Sequence, residues 1–197
     1  MRPFRFSSRS AVALAVALAA AASQAGATTV WNEDVDSDLS DDRLNPTRLS
    51  LVAGANELIG SIGLGDPDYF SFVVPAGFTL TAIHVLPGTA VSGSASFVAI
   101  ELGDKITTTP TGGNVGDLLA YSHYGNDAVG TNLLGTVLYL PGGASSLPSG
   151  TYSMWLNETG GTVPYRFDFV LASSVPEPSG ALALSAGLLA LRLRRKR

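Results

Sequence analysis

Tyr165-Arg166-Phe167-Asp168-Phe169-Val170-Leu171 is the stretch that decides the fold. The aromatic residues and Leu171 occupy alternate positions, with Arg166 and Asp168 between them. In an extended chain successive side chains point to opposite faces, so this pattern makes one apolar and one polar face of a strand. The same period recurs upstream. Tyr152, Met154 and Leu156 oppose Ser153, Trp155 and Asn157, and Thr81, Ile83 and Val85 alternate with Ala82, His84 and Leu86. Further strand-like runs are Thr47–Val52, Glu57–Ile62, Asp68–Val74, Ala95–Leu102, Leu118–His123 and Thr131–Leu140. Turn-forming groups such as Gly65-Asp66-Pro67, Pro75-Ala76-Gly77, Pro141-Gly142-Gly143 and Pro148-Ser149-Gly150 separate them. Helical periodicity is absent from this middle part. About nine short strands divided by turns predict an all-β fold, an antiparallel β-sandwich or jelly roll, flanked by an N-terminal signal helix and a short C-terminal hydrophobic helix. Thr107 to Gly116 reads as a flexible excursion.

Composition narrows the chemistry. The 197 residues contain no cysteine, which excludes disulfides, thiolate-held metals and a thiol nucleophile. Between Thr28 and Ser174 fifteen acids face four bases, a net charge of −11. Such a body does not bind nucleic acid, because neutralising phosphates takes a basic face.

Both ends read as addresses. Arg2, Arg5 and Arg9 precede an unbroken apolar run of 12 residues, Ala11 to Ala22, and Ala25-Gly26-Ala27 then supplies small residues at Ala25 and Ala27, the positions that a signal peptidase reads. Residues 1–27 are therefore expected to be a signal peptide. The run is too short to span a bilayer, which takes about 20 apolar residues. At the other end, Val175-Pro176-Glu177-Pro178-Ser179-Gly180 leads into an apolar run of 11 residues, Ala181 to Leu191, and then into Arg192-Leu193-Arg194-Arg195-Lys196-Arg197. Pro176 and Pro178 keep the spacer out of a helix. The apolar run is long enough to lodge in the membrane for a time, and the cationic tail (Arg192, Arg194, Arg195, Lys196, Arg197) stays on the cytoplasmic side.

Residues 175–197 closely resemble the PEP-CTERM sorting signal in motif, order and spacing. The resemblance implies recognition of Pro176, Glu177 and Pro178 by an exosortase, a membrane-embedded enzyme of Gram-negative bacteria that make extracellular polysaccharide. It also implies release or attachment of residues 28–174, the expected β-sandwich domain, at the outer surface. Within that domain, Asn56-Glu57-Leu58-Ile59-Gly60-Ser61, the run from Asp66-Pro67-Asp68-Tyr69-Phe70 to Pro75-Ala76-Gly77, and Gly150-Thr151-Tyr152 resemble the bacterial pre-peptidase C-terminal domain. That family implies a secreted β-sandwich module without catalytic residues of its own.

Catalytic chemistry is sparse, and no catalytic residue is assigned. The chain has two histidines, His84 and His123, and no Gly-x-Ser-x-Gly elbow. His123 lies between Tyr121 and Tyr124 and reads as part of an aromatic surface. Fifteen acids leave room for a glycosidase-type pair, but nothing in the sequence singles out two of them.

The one ligand with a local argument is calcium. Asn32-Glu33-Asp34-Val35-Asp36-Ser37-Asp38, followed by Asp41 and Asp42, clusters hard oxygen ligands that repel one another unless solvated or bridged by a cation. An EF-hand is rejected, since Leu39 stands where glycine is needed and Asn45 where glutamate is needed. Resemblance to calcium-binding relatives of the pre-peptidase-type domain adds an acidic pair before the Tyr-Phe strand. The expected ligand set is Asp34, Asp36, Asp38, Asp66 and Asp68, with a solvated acidic segment as the alternative.

Two readings of function remain open. One is an exported, non-enzymatic surface or matrix protein whose sandwich binds extracellular polysaccharide or another surface component, in association with a polysaccharide matrix or biofilm, with Tyr121, Tyr124, Trp155 and Tyr165 as stacking platforms or core. The other is a small extracellular hydrolase. Convergence of both histidines with two or more acids in one cleft would favour the second.

Overall fold

The computed structural model describes residues 26–111 and 114–174. The apolar run at the front with Ala25, and the whole of 175–197, lie outside the described residues, as do the two helices expected to flank the domain. Ala27 is described and exposed, just ahead of the first strand.

The described residues form nine strands: β1 (Thr28–Asn32), β2 (Thr47–Leu49), β3 (Gly54–Ile62), β4 (Asp68–Val74), β5 (Phe78–Val85), β6 (Ser96–Leu102), β7 (Ala120–Tyr124), β8 (Gly150–Asn157) and β9 (Val163–Ser173). A four-residue helical turn, α1 (Glu33–Asp36), follows β1. The strands make a four-stranded sheet, β1-β3-β9-β5, and a five-stranded sheet, β2-β4-β8-β6-β7. Among the described residues no helix is long and apolar enough to cross a membrane.

The alternating stretch 165–171 lies in the middle of β9. Val163, Tyr165, Phe167, Phe169 and Leu171 are buried while the residues between them stay partly exposed. Phe169 meets Phe70 edge-on at 6.0 Å and Phe72 at 5.4 Å, and Phe167 meets Tyr124 at 5.9 Å, so rings of both sheets interlock in one core. Five such side chains contribute on the order of 10 kcal/mol of burial, against roughly 1 kcal/mol for a typical hydrogen bond. Ring packing therefore decides which face turns inward.

The β-sandwich is as expected, but it is not purely antiparallel: β1 pairs β3, and β2 pairs β4, in parallel. These short strands are edge additions to an antiparallel frame. The expected strand 131–140 is absent. Its leucines are buried, yet the chain runs as turns along the edge of β5, with Thr131 O accepting from Val85 N and Ile83 O accepting from Leu133 N. The Asn132 side chain takes the place of a strand carbonyl, accepting from Ile83 N at 2.9 Å and Leu134 N at 3.1 Å. This covers a sheet edge that would otherwise present unpaired backbone groups. A bulge at Thr81 shifts the phase of β5, so Leu80, Ile83 and Val85 face inward and Thr81 is exposed.

β8 is buried on both faces. Tyr152, Met154 and Leu156 point into the main core, while Trp155 packs on the outer face with Tyr69, Ala99, Ile106, Leu118 and Phe97. The segment after β6 covers this outer cluster. Its first residues are pinned rather than flexible, since the Glu101 carboxylate accepts from the backbone of Thr107 and Thr108 and from the Thr107 hydroxyl. Arg43 Nη1 donates to the carbonyls of Ile106 and Thr107, at 2.9 Å each.

Asn56 closes the start of β3. Fully buried, it accepts from Val52 N at 2.7 Å and donates to the carbonyls of Val52, Gly54 and Phe169. Replacing Asn56 with Ala strands these groups without partners and is expected to lower unfolding stability by about 1–3 kcal/mol in urea titrations.

Candidate functional site

Two places concentrate chemistry. The first lies where β4 begins. Asp68 is the first residue of β4, fully buried, and its Oδ2 accepts from the Tyr165 hydroxyl of β9 at 2.5 Å, a bond from one sheet to the other. Its other oxygen, Oδ1, has no hydrogen-bond partner. Glu33, at the start of α1, reaches the same place. Its Oε2 accepts from Ser61 N at 2.7 Å and its Oε1 from Leu39 N at 3.2 Å, tying the N-terminal segment to β3. Carboxylate oxygens of Glu33, Asp38 and Asp68 lie within 4.8 Å of one another, and so do those of Asp38, Asp41 and Asp66. Asp66 sits in a tight turn closed by two hydrogen bonds between Gly63 and Asp66, with Gly65 at φ +83.

Gly60 makes room for this meeting. A Cβ there would overlap the Tyr165 hydroxyl and stand 2.7 Å from Glu33 Cδ.

The structure therefore brings together Asp38, Asp66 and Asp68 of the expected set and leaves out Asp34 and Asp36. The reason is α1. Read as alternating, 34, 36 and 38 share a face, but the chain makes a helical turn here. Asn32 caps it, accepting from Asp34 N, and the Asp36 carboxylate accepts from Asn32 N. The Asp36 carboxylate is spent on the turn, and Asp34 and Asp36 both face solvent, whereas Glu33 is part-buried and faces in. Ser37, at φ 84, then swings Asp38 back toward the cluster. Glu33 and Asp41 were visible as acids but not as members of the site, because no spacing rule places a residue across a single helical turn.

Burial pushes the Asp68 carboxyl up to about 9, and the nearby acids Glu33, Asp38 and Asp66 add to the rise against the Tyr165 hydrogen bond. Burial likewise raises Glu33 and Asp66, and it lifts the Tyr165 hydroxyl well above its ordinary range, with the charge of Asp68 adding to it. Two oxygens bound to one calcium at about 2.3–2.6 Å lie at most about 5 Å apart. The spacing of these carboxylates and the orphaned Asp68 Oδ1 fit such an ion, with Glu33, Asp38 and Asp68 as the inner group and Asp41 and Asp66 beside them.

The second place is the outer face of the five-stranded sheet. A cleft of about 370 Å³ is lined by Tyr69, Phe97, His123, Trp155 and Asn157, among others. Phe97 lies 4.6 Å from Trp155 and 5.5 Å from the His123 ring, and Tyr69 stacks on Trp155 at 5.8 Å. Trp155 Nε1 is buried with no hydrogen-bond partner. Tyr121, half exposed, extends the aromatic row beyond Phe97. Of the four expected stacking residues, Trp155 and Tyr121 belong to this face, whereas Tyr124 and Tyr165 are core residues packed on Phe167. The histidines do not converge. His84 lies on β5 of one sheet, opposite Asp168 in register, and His123 on β7 of the other.

These sites sit on an all-β sandwich with one acid-lined end and one ring-lined face. No protein-family model matches the chain, and no curated protein matches it. Among solved structures it is similar to the Salmonella Typhimurium PliG, a periplasmic inhibitor of g-type lysozyme, at 17% identity and TM-score 0.35 over 64% of this chain and 98% of that one. It is similar too to the pre-peptidase C-terminal domain of a Bacillus anthracis collagenase, at 13% identity and TM-score 0.36 over 64% and 93%. The Aeromonas hydrophila PliG matches at 16% identity and TM-score 0.33 over 64% and 96%.

A buried carboxyl with a raised pKa holds its proton in the folded chain after the unfolded chain has lost it. Folding stability then falls as pH rises between the two values, from about 4 to about 9 for Asp68. In chelator-treated protein the melting temperature is expected to fall steadily across that window, and Asp68→Asn, which cannot ionise, is expected to flatten the slope.

Proposed function

We propose that the protein is an exported, non-catalytic β-sandwich module that binds extracellular polysaccharide through the outer face of its five-stranded sheet. The observation that carries this reading is the ring-lined cleft walled by Tyr69, Phe97, His123 and Trp155. Sugars present apolar C–H faces and many hydroxyls, which suit aromatic walls and the polar rim of Asn157 and Thr159. The separation of His84 from His123 supports the binding reading over the hydrolase. So does the burial of Asp68, whose carboxyl has no surface to offer a substrate.

Calcium belongs to this reading as a structural ion. Held by Glu33, Asp38 and Asp68 with Asp41 and Asp66 beside them, it would neutralise the crowded acids and lock 28–42 onto the sheets. Delivery follows from the two addresses: signal peptidase acts after Ala27, residues 181–191 lodge in the inner membrane, and an exosortase then acts at Pro176-Glu177-Pro178 and passes the domain to the outer surface.

Both sheets are built between Thr28 and Ser173, so residues 28–174 suffice for the binding tests. In isothermal titration, calcium should release or absorb heat and raise the melting temperature, and Asp68→Asn should lose both responses. The absence of heat and of any melting shift in the parent protein would remove the ion from the reading. On a glycan array the domain should bind polysaccharide from an exosortase-bearing host, and Tyr121→Ala with His123→Ala, both on the exposed rim, should weaken binding at least several-fold without changing the melting temperature. Undiminished binding by that variant would move the site elsewhere.

A further inference from the structure

We propose that the end of the sandwich from which β9 exits is a membrane-facing surface that rests on the lipid bilayer while the chain is still tethered. This rests on the sorting reading above, and three features of the described residues carry it.

The first is topology. The β4–β5 turn joins the two sheets at Pro75-Ala76-Gly77, which puts the end of β4 and the start of β5 together. Register then places the rest: Phe78 faces Ser173, Gly54 faces Leu171, Val74 faces Gly150 and Leu102 faces Tyr152. Ser174 N donates to Gly77 O at 2.8 Å, so the chain is held to this end up to the last described residue.

The second is reach. Residues 175–180 separate Ser174 from the apolar run that begins at Ala181. Seven extended steps span at most about 25 Å. β9 alone, with 11 residues, is about 35 Å long. The tether is shorter than the sandwich, so with 181–191 in the bilayer the domain cannot stand upright on its far end with the exit end above it. The exit end, or a flank next to it, must face the lipid.

The third is surface chemistry, which selects the end over a flank. Val52, Val73 and Leu102 are 47%, 53% and 62% exposed, and Pro75 and Ala76 are exposed between them. Among the described residues 50–54, 73–78, 102–105, 147–151 and 171–174 there is one acid, Asp104, and it is ion-paired to Arg48 at 3.3 Å. Lys105 stands beside it. The opposite end holds Glu33 through Asp42, Asp66, Asp68 and Glu158. An anionic lipid surface repels that end and accepts this one, where apolar side chains enter the headgroup layer without desolvating an unpaired acid.

The chain has no native cysteine, so single labels can be placed at will. The full-length chain, labelled with a fluorophore at Ala76→Cys or at Asp36→Cys, is mixed with vesicles of phosphatidylethanolamine and phosphatidylglycerol carrying a headgroup spin label. The expected result is quenching several-fold stronger at 76 than at 36, and a loss of that difference when Val73→Asp and Leu102→Asp are added. Equal quenching at both labels, stronger quenching at 36, or a difference that survives the added aspartates overturns the proposal while leaving the tether intact. A full-length chain that fails to join the vesicles at all overturns the membrane lodging of 181–191 together with it.

Discussion

The hydrogen bond between Asp68 and Tyr165 fastens the five-stranded sheet to the four-stranded one at the end where β1 finishes and β4 begins. A carboxyl in that position has two ways to be tolerated. It can keep its proton, as its raised pKa describes, or share its charge with a cation. Much of the N-terminal segment is arranged around that choice. Glu33 is held by the backbones of Ser61 and Leu39, Gly60 leaves the space, and α1 with Ser37 turns Asp38 inward. β1 is hung on β3 by a short parallel ladder with an irregular register, a weak attachment by itself. Whatever settles the charge at Asp68 therefore also settles how firmly residues 28–42 are held.

The five-stranded sheet has the unusual property of being covered on both faces over its central strand. Ser71, Ser153 and Glu101 on its outer side are buried polar groups, and each kind of oxygen has a use there. The Ser153 hydroxyl donates to Gly103 O, and the Glu101 carboxylate gathers the donors of Thr107 and Thr108. A buried carboxylate satisfied by several donors organises a loop rather than leaving it loose. That anchoring is what holds the start of the excursion over the sheet, near the aromatic cleft. At the cleft's other rim Glu158 works the same way. Burial opposes its charge, but hydrogen bonds from Ser96, Ser92, Gly160 and Thr159 outweigh it and hold its pKa below the ordinary value.

How much of this could be read from residues alone follows from how local each cause is. The faces of β9 were legible because its alternation is uninterrupted from 163 to 171 and the rings decide the outcome. β4 and β8 were legible for the same reason, down to the glycine that opens β8. The segment 131–140 misled because burial and strand formation usually go together. Here its leucines pack while Asn132 and Gly135, at φ +80, bend the backbone away from a ladder. Thr81 misled because the bulge there breaks the alternation, so it turns outward while Ile83 and Val85 beyond it face inward as read. β1 was missed because a five-residue parallel edge strand depends on a partner 28 positions away, not on its own pattern. At the acid cluster, residue type was legible and geometry was not. Asp66 and Asp68 stand where they were expected, while the choice of Glu33 over Asp34 and Asp36 is made by one helical turn.

The two ends of the sandwich differ in what they can tolerate, and the order of the chain explains why. The acids arrive early, in 33–42 and 66–68, and the parallel register of β1 on β3 carries them to the end where β4 begins. The last strand runs the other way, antiparallel to β3, so the chain must leave from the opposite end. A domain with this connectivity cannot put its acid cluster next to its own C-terminal exit. The separation, close to the length of β9, exceeds a Debye length of about 10 Å severalfold, so each end meets its surroundings almost independently of the other. Charge at the acid-lined end can be neutralised or left bare without altering what the exit end presents, and that independence is built into the strand order itself.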